Sequence, residues 1–322
     1  MQKILNEFDL FQALSTEHQQ RYTSYEDRQN RYVDSVGANQ AFFRLLLSFT
    51  DVYLNYEGNF EIDENIQPDP VQHQKNQQIF GLIAREWSAE YATERDESFG
   101  VLLNTLKENV PCTDDVAVLI PGSACGRLGW EVSKLGYNSI MNEFGFQMQL
   151  LSNLFLNVVN KPESLTMYPY IHDACNHVSL DTMFRRVLVP DQCPVMEGSE
   201  ENGEMSLLCG EFVATFSKEQ YKDSFDCIMS CFFLDTAVNI FEYFDTIVHC
   251  LKPGGILTNI GPLAWHWKDK SIELTFLEIK EILEGYGFEF LELDMKETTY
   301  ASCEHSLMPT VYETVYFVAK LN

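Results

Sequence analysis

Three side chains able to bind or orient a small polar molecule lie beside apolar runs that are typical of buried strands. Asp235 follows the run Cys-Phe-Phe-Leu, His266 follows a further apolar run and a Gly-Pro step, and Tyr312 opens the last run. A carboxylate accepts an N–H group, an imidazole donates and accepts, and a phenol donates a hydrogen bond. Structural interpretations also stay open: a helix cap for Asp235, packing between two tryptophans for His266, and a core ring for Tyr312.

A glycine turn follows the apolar run Val116 to Ile120. It reads Gly122-Ser-Ala-Cys-Gly126, and small residues of this kind let a ligand approach the backbone closely. Glu143 closes the next apolar run 17 positions after Gly126, where a ribose-binding carboxylate is expected. The pattern indicates an adenosine cofactor, either a dinucleotide or S-adenosylmethionine, and a tight turn without ligand stays open. The Lys-Pro-Gly-Gly stretch from Lys252 favours the methyltransferase variant of such a fold.

Composition excludes several partners. The chain has 322 residues, with 48 acidic against 22 basic side chains and a formal charge of -26, so neither nucleic acid nor an anionic membrane is an expected partner. The nine cysteines form no Cys-x-x-Cys pair, and His172 and His177 match no standard ligand spacing, so we expect no metal. Without a signal peptide or a spanning helix, we expect a reduced, cytoplasmic protein, with the nucleus open as a second location.

The elements that must position these residues divide the chain in two. Residues 1–114 alternate polar and apolar positions at helical spacing, with a loop expected from Gly58 to Lys75. Residues 115–322 alternate short apolar runs with helical stretches, which predicts a doubly wound α/β sheet. The helix predicted from Thr236 to Leu251 should stop at the Lys-Pro-Gly-Gly stretch. In such sheets ligands bind beyond the carboxyl ends of the strands.

The motifs themselves resemble the carnosine N-methyltransferase family over roughly residues 75–322. The resemblance rests on segments found in the same order and spacing: Val118 to Glu131, Asn142-Glu-Phe, Tyr168-Pro-Tyr-Ile-His, Cys231 to Ala237, Leu251-Lys-Pro-Gly-Gly and Gly261-Pro-Leu. It implies a class I methyltransferase-like fold and transfer of the methyl group of S-adenosylmethionine to the imidazole of carnosine or a related histidine-containing dipeptide, giving anserine. It also implies a homodimer.

The family's site residues can be carried over position by position. The resemblance implies cofactor contacts by the following residues: Arg85, Gly122, Glu143, Glu211, Phe212 and Cys231. The guanidinium of Arg85 suits the cofactor's carboxylate, since a bidentate pair fits both groups. Cys231 also has a purely structural interpretation as a small buried hydrophobe. Asp235, His266 and Tyr312 match the substrate contacts, which predicts that Asp235 selects the tautomer of the imidazole while the other two hold the substrate.

Four departures from the family pattern bear on these roles. Glu211 stands for an aspartate, Leu82 for a glutamine and Thr310 for a tyrosine, and the turn usually reads Gly-Ala-Gly-Leu-Gly. The Leu82 and Thr310 changes favour an alternative: methylation of another small molecule or of a histidine in a protein. A non-catalytic, cofactor-binding regulatory protein is a further alternative, and a nicotinamide-linked dehydrogenase a more distant one.

Overall fold

The computed structural model describes residues 2–48, 70–172, 174–198, 201–302 and 306–322. Its helices are α1 (Gln2–Gln12), α2 (Thr16–Arg21), α3 (Tyr25–Ser48), α4 (Pro70–Trp87), α5 (Ala92–Arg95), α6 (Val101–Asn109), α7 (Arg127–Lys134), α8 (Phe146–Asn153), α9 (Leu180–Met183), α10 (Pro194–Glu197), α11 (Phe212–Phe216), α12 (Ile240–Cys250) and α13 (Phe276–Gly285). Its strands are β1 (Ala117–Pro121), β2 (Asn138–Glu143), β3 (Leu165–Met167), β4 (Val187–Val189), β5 (Met205–Cys209), β6 (Phe225–Cys231), β7 (Leu251–Gly261), β8 (Phe288–Thr299) and β9 (Val311–Leu321). Within these ranges, no helix is long and apolar enough to cross a membrane.

The chain forms two compact units, each discontinuous in sequence. The first unit comprises Met1–Glu90, Lys161–Gln192 and Ala301–Pro309. The second unit comprises Tyr91–Asn160, Cys193–Tyr300 and Thr310–Asn322. The boundary predicted at residue 114 differs from this division, because residues 91–114 belong to the second unit.

The first unit joins its long helix to a small antiparallel sheet. Strands β3 and β4 pair with each other, and Tyr32 of α3 lies edge-to-face against Phe184 at 4.9 Å between ring centroids. The side-chain amide of Asn39 donates to the carbonyl oxygen of Tyr168 at 2.9 Å and accepts its N–H at 2.8 Å. The buried amide therefore satisfies both backbone groups of Tyr168 just beyond β3.

The second unit is built on a seven-stranded sheet in the order β5-β2-β1-β6-β7-β9-β8. The first five of these strands run parallel to one another. Strand β9 is antiparallel to its two neighbours, β7 and β8, and β8 lies at the edge of the sheet. The chain reverses its direction of winding at β1, which lies between β2 and β6. Ligands of doubly wound sheets bind at the carboxyl ends of the strands beside such a reversal.

Both faces of the sheet are covered at its central strands, which explains why β1 is apolar throughout. Leu119, Ile228 and Phe317 pack in one buried cluster with residues of α11, α12 and α13. Their immediate neighbours, such as Val118, pack in a second buried cluster with α6 and α7. Because adjacent strand residues point to opposite faces, the two clusters lie on the two sides of the sheet. The predicted doubly wound α/β fold is confirmed.

Three element boundaries differ from the sequence predictions. The helix expected from Thr236 starts at Ile240, because the Asn239 side chain accepts the N–H of Phe241 at 3.1 Å and caps it. The Lys-Pro-Gly-Gly stretch from Lys252 lies within β7 rather than before it. Of the loop expected from Gly58 to Lys75, residues 58–69 lie outside the described residues. The helix α4 already begins at Pro70, since proline is well tolerated in the first turn of a helix.

Candidate active site

The glycine turn between β1 and α7 has a backbone conformation and a packing that favour glycine. Gly122 has a φ of 64° and Gly126 a φ of 83°, in the left-handed region that favours glycine. A Cβ atom on Gly122 would lie 2.7 Å from Cδ2 of the Phe233 ring. The turn therefore runs directly against an aromatic side chain that follows β6, and it has no room for a larger residue at this position.

Glu143, the last residue of β2, is fixed against this turn. Its Oε2 accepts the N–H of Ala124 at 2.9 Å, and its Oε1 accepts the N–H of Gly145 at 2.6 Å. Burial raises the pKa of this carboxyl, and the N–H donors oppose that rise. Each oxygen retains a further lone pair. The strand end thus presents a preoriented acceptor beside the turn, which fits the hydroxyl pair of a ribose.

An aromatic wall stands beside the turn. The rings of Phe212 and Phe233 meet edge-to-face at 5.3 Å, and Phe233 stacks on Tyr243 at 4.7 Å. Glu211 precedes Phe212 and caps α11, because its two carboxylate oxygens accept the N–H groups of Val213 at 3.1 Å and Ala214 at 2.7 Å. The predicted cofactor contact of Glu211 stays a prediction, in competition with this capping role.

Asp235 lies in a short 3-10 turn, Leu234–Thr236, that follows β6, and only 3% of its surface is exposed. Its Oδ2 accepts the N–H of Ala264 at 3.0 Å, and its carbonyl oxygen accepts the N–H of His266 at 3.1 Å. Burial raises the pKa of its carboxyl, while the Ala264 N–H and the nearby His266 lower it. The interpretation of Asp235 as a helix cap is wrong, because its carboxylate binds the segment after β7 instead.

The segment after β7 holds His266 at the surface between two anchored tryptophans. Trp265 is buried, and its indole N–H donates to the carbonyl oxygen of Leu274 at 3.1 Å. Trp267 donates its indole N–H to the carbonyl oxygen of Thr236 at 3.0 Å. The side chain of His266 itself is exposed. Its ring is therefore available to a ligand, while its backbone is fixed to the turn that carries Asp235.

Tyr312 belongs to a cluster of three rings at the ends of β6, β8 and β9. Its ring lies 6.2 Å from that of Phe232 and 6.0 Å from that of Tyr300, and those two rings are 4.7 Å apart. Phe232 has a φ of 53°, which is unusual for a residue with a side chain. A Cβ on Gly261 would lie 3.0 Å from Cα of Phe232, so this glycine permits the close approach.

Sequence reasoning did not single out Phe232. The one sequence feature that pointed to it is Gly261 at the end of β7. Its contact with Phe232 depends on the register between β6 and β7, which sequence does not reveal. Cys231, one residue earlier, closes β6 and is partly buried against the sheet core. Arg85 lies in α4, in the first unit, and is buried, whereas the other candidate residues belong to the second unit. The cofactor contacts of Arg85 and Cys231 stay predictions.

No group of three or more His, Cys, Asp or Glu side chains that could hold a metal ion occurs in the described part of the chain. The polar groups at this edge of the sheet are instead carboxylates fixed by backbone N–H donors, together with aromatic rings. Such a set suits an uncharged or cationic organic ligand better than a phosphate, which would need free donors.

Comparison with known proteins identifies the family. A family model described as carnosine N-methyltransferase matches residues 62–322. Carnosine N-methyltransferase of Schizosaccharomyces pombe is 31% identical over 280 residues, covering 82% of this chain and 75% of the relative. The mouse enzyme is 36% identical over 247 residues, covering 74% of this chain and 60% of its own length.

Solved structures give a more distant likeness. Magnesium protoporphyrin IX methyltransferase from Synechocystis PCC 6803 superposes with a TM-score of 0.45 at 9% identity, covering 79% of this chain and 95% of that protein. The family assignment rests instead on the sequence matches, which span all the candidate site residues. The chain belongs to the carnosine N-methyltransferase family.

Proposed function

We propose that this protein transfers a methyl group from S-adenosylmethionine to an imidazole nitrogen of carnosine or a related histidine-containing dipeptide, giving anserine from carnosine. The observation that carries the proposal is the family match over residues 62–322. This range contains every residue assigned a role below. The chain spans 60% of the mouse relative's length and 75% of the yeast relative's length, so the activity is proposed for the part present here.

The cofactor would be held at the carboxyl ends of β1, β2 and β6. Gly122 would shape the turn that faces it, Glu143 would accept its ribose hydroxyls, and Phe212 and Cys231 would line its base, with Glu211 as a further contact. For Arg85, a contact with the cofactor is what the family resemblance alone implies. A carboxylate already fixed by two N–H donors, at 2.9 Å and 2.6 Å, needs little reorganisation to accept a hydroxyl. When bound, S-adenosylmethionine supplies a methyl carbon activated by a positively charged sulfur.

Asp235 would choose which ring nitrogen of the substrate reacts. Imidazole has an ordinary pKa of about 6.5, so at neutral pH one of its nitrogens already carries a free lone pair. Accepting the N–H of the other nitrogen would fix the tautomer, and the carboxylate would then stabilise the imidazolium product. Burial of Asp235 supports this role, because a charge shielded from water interacts more strongly with its partner.

Two further residues, one in the fixed segment after β7 and one in β9, are proposed to hold the substrate. His266 would bind a polar group of the dipeptide, since its backbone is tied to Asp235 and its side chain is exposed. Tyr312 would donate a hydrogen bond from the aromatic cluster with Phe232 and Tyr300. The net charge of -26 would favour a substrate with a free ammonium group.

Two residues favour a second candidate substrate class. Thr310 and Leu82 stand where the family pattern has tyrosine and glutamine, so another imidazole compound or a protein histidine is the runner-up. Transfer of labelled methyl to carnosine, homocarnosine, free histidine and a protein extract, measured side by side, separates these. Carnosine should give a product that co-migrates with authentic anserine. Tight binding of S-adenosylhomocysteine without any labelled product would refute methyl transfer and favour a regulatory cofactor-binding protein.

Two further features are proposed. The family resemblance implies a homodimer, to be checked by light scattering of the purified chain. The sequence favours a cytoplasmic location, with the nucleus open as a second one, to be checked by imaging of the tagged protein in its own cells.

A further inference from the structure

A short chain of buried polar groups crosses three neighbouring strands of the second unit. The hydroxyl of Ser230 in β6 donates to Oδ1 of Asn259 in β7 at 2.8 Å. The amide nitrogen of Asn259 donates to the carbonyl oxygen of Val315 in β9 at 2.9 Å. Ser230 is 0% exposed and Asn259 3%, so these hydrogen bonds are shielded from water. We name these three residues the strand pin.

The chemistry of the strand pin fixes its direction. A backbone carbonyl only accepts, so the side of the Asn259 amide that faces Val315 must be its NH2 group. The amide oxygen then faces Ser230, whose hydroxyl must donate. An apolar residue at position 259 would fill a similar volume and would leave the Ser230 hydroxyl without this acceptor. A buried amide surrounded by an apolar core stabilises one alignment of strands over others, because any slip leaves its polar groups unpaired.

The pin lies a few residues from the strand ends that lead to the candidate substrate residues. Ser230 and Asn259 are register partners, and Gly261 is the register partner of Val315. From the pin, β6 ends one residue later and leads to Asp235, β7 ends two residues later and leads to His266, and Tyr312 lies three residues before Val315. The three strands joined by the pin are therefore the three that carry the predicted substrate contacts.

The strands that carry the glycine turn and Glu143 have no part in the pin. Gly122 follows β1 and Glu143 closes β2. A change in the pin is thus expected to reach the substrate contacts and to leave the glycine turn and Glu143 in place. Of the proposed cofactor contacts, Cys231 alone lies next to the pin, because it follows Ser230 in β6.

We propose that Asn259 is a positioning residue for methyl transfer: by joining β6 to β9 through β7, it sets the relative positions of Asp235, His266 and Tyr312. The proposal rests on the proposed function for what these residues bind. It makes a separate claim about the protein alone, namely that the ends of these strands lose their fixed positions when the amide is removed. Misplacement of a reacting group by about 1 Å costs about 10²-fold in rate.

The test compares Asn259→Leu with two matched controls. Thr258→Val changes the neighbouring residue of β7, which is 0% exposed and whose hydroxyl forms no hydrogen bond within the described residues. Leu283→Ala creates a cavity in α13 and lowers stability while leaving the hydrogen-bonding groups of the pin unchanged. Ser230→Ala removes only the link to β6 and serves if Asn259→Leu does not fold.

Three measurements are made on each variant, well below its melting temperature: hydrogen exchange, S-adenosylhomocysteine affinity by calorimetry, and turnover of the dipeptide. For Asn259→Leu we expect faster exchange confined to residues 232–237, 262–267 and 310–313, unchanged exchange at 122–126, and cofactor-product affinity within about 3-fold of wild type. Where the dipeptide is a substrate, kcat/KM should fall by about 10- to 10²-fold. Ser230→Ala should show the same pattern with smaller amplitude, and Thr258→Val none of it.

Two outcomes would overturn the positioning role. One is exchange that is unchanged, or that rises evenly over the sheet as in Leu283→Ala, which would make Asn259 a contributor to stability alone. The other is wild-type kcat/KM in an Asn259→Leu protein that does show the local exchange. A wild-type protein that binds S-adenosylhomocysteine but methylates no imidazole compound would refute the proposed function, and the exchange pattern would still decide the claim about the strand ends.

Discussion

The structural role and the proposed substrate-binding role of the Asp235 carboxylate can be distinguished by comparing Asp235→Asn with Asp235→Ala. The wild-type Oδ2 accepts the N–H of Ala264 at 3.0 Å. An asparagine oxygen can still accept this N–H, whereas its NH2 group donates where the carboxylate accepted. Alanine removes both functions. The two variants should therefore share a loss of turnover and differ in the stability of the segment that carries His266.

The expected magnitudes follow from burial. A hydrogen bond to a charged group contributes about 1.5–3 kcal/mol, and burial of the Asp235 carboxylate, which raises its pKa, offsets part of this. We expect Asp235→Ala to lose about 1 kcal/mol, or about 2–4 °C in Tm. Asp235→Asn should keep the wild-type Tm or exceed it at neutral pH. Both should lose about 10²-fold or more in kcat, the scale of a missing acid–base or orienting group.

The pH dependence of stability gives a second check. A carboxyl whose pKa is raised in the folded state favours folding below its unfolded value of about 3.9, and loses that contribution as pH rises through the folded value. The Tm of wild type relative to Asp235→Asn should therefore fall as pH rises over this window. The measurements are thermal unfolding from pH 3 to 8, calorimetry with S-adenosylhomocysteine and turnover at pH 7. Near-wild-type turnover of Asp235→Asn, with normal cofactor affinity, would refute the assignment.

Three other changes have defined outcomes. Gly122→Ala should weaken S-adenosylhomocysteine binding and lower the free energy of unfolding by about 1–3 kcal/mol, since its Cβ would lie 2.7 Å from the Phe233 ring at positive φ; thermal unfolding and calorimetry check this. Glu143→Ala should weaken the same binding at least about 10-fold, and Glu143→Gln less, because glutamine keeps one acceptor. Trp267→Phe removes the indole donor to Thr236 and should raise the dipeptide KM several-fold at unchanged S-adenosylhomocysteine affinity, measured by steady-state kinetics; an unchanged KM would contradict a role for this bond.

Local sequence patterns were sufficient to predict the fold and to place Gly122 and Glu143 at the carboxyl ends of their strands. The apolar run Val116 to Ile120 became β1, shifted by one residue, because a strand buried on both faces must be apolar throughout. Glu143 was correctly predicted at the end of β2, because the end of an apolar run marks the end of a buried strand. Helix starts were less accurate, because Asn239 and Asp235 are both good caps and only the folded chain shows which one is used.

Features that depend on register or on distant segments could not be predicted. The Asp235 carboxylate binds Ala264, 29 residues away, and no local pattern indicates this partner. The close approach of Phe232 to Gly261 and the link from Asn259 to Val315 depend on how neighbouring strands align. Strands β3 and β4, three residues each, are too short to give a clear alternation.

The first unit is assembled from three segments that are far apart in sequence, and this has a consequence for its synthesis on the ribosome. Tyr32 emerges early, yet its buried neighbours Ile171, Met183 and Phe184 are translated roughly 140–150 residues later. Until then the apolar side of α3 has no native partner from this cluster and is exposed to chaperones or to other nascent chains. Ala301–Pro309, which completes this unit, is translated later still. Because such long-range contacts form slowly, we expect this unit to mature only after residue 309 has left the ribosome.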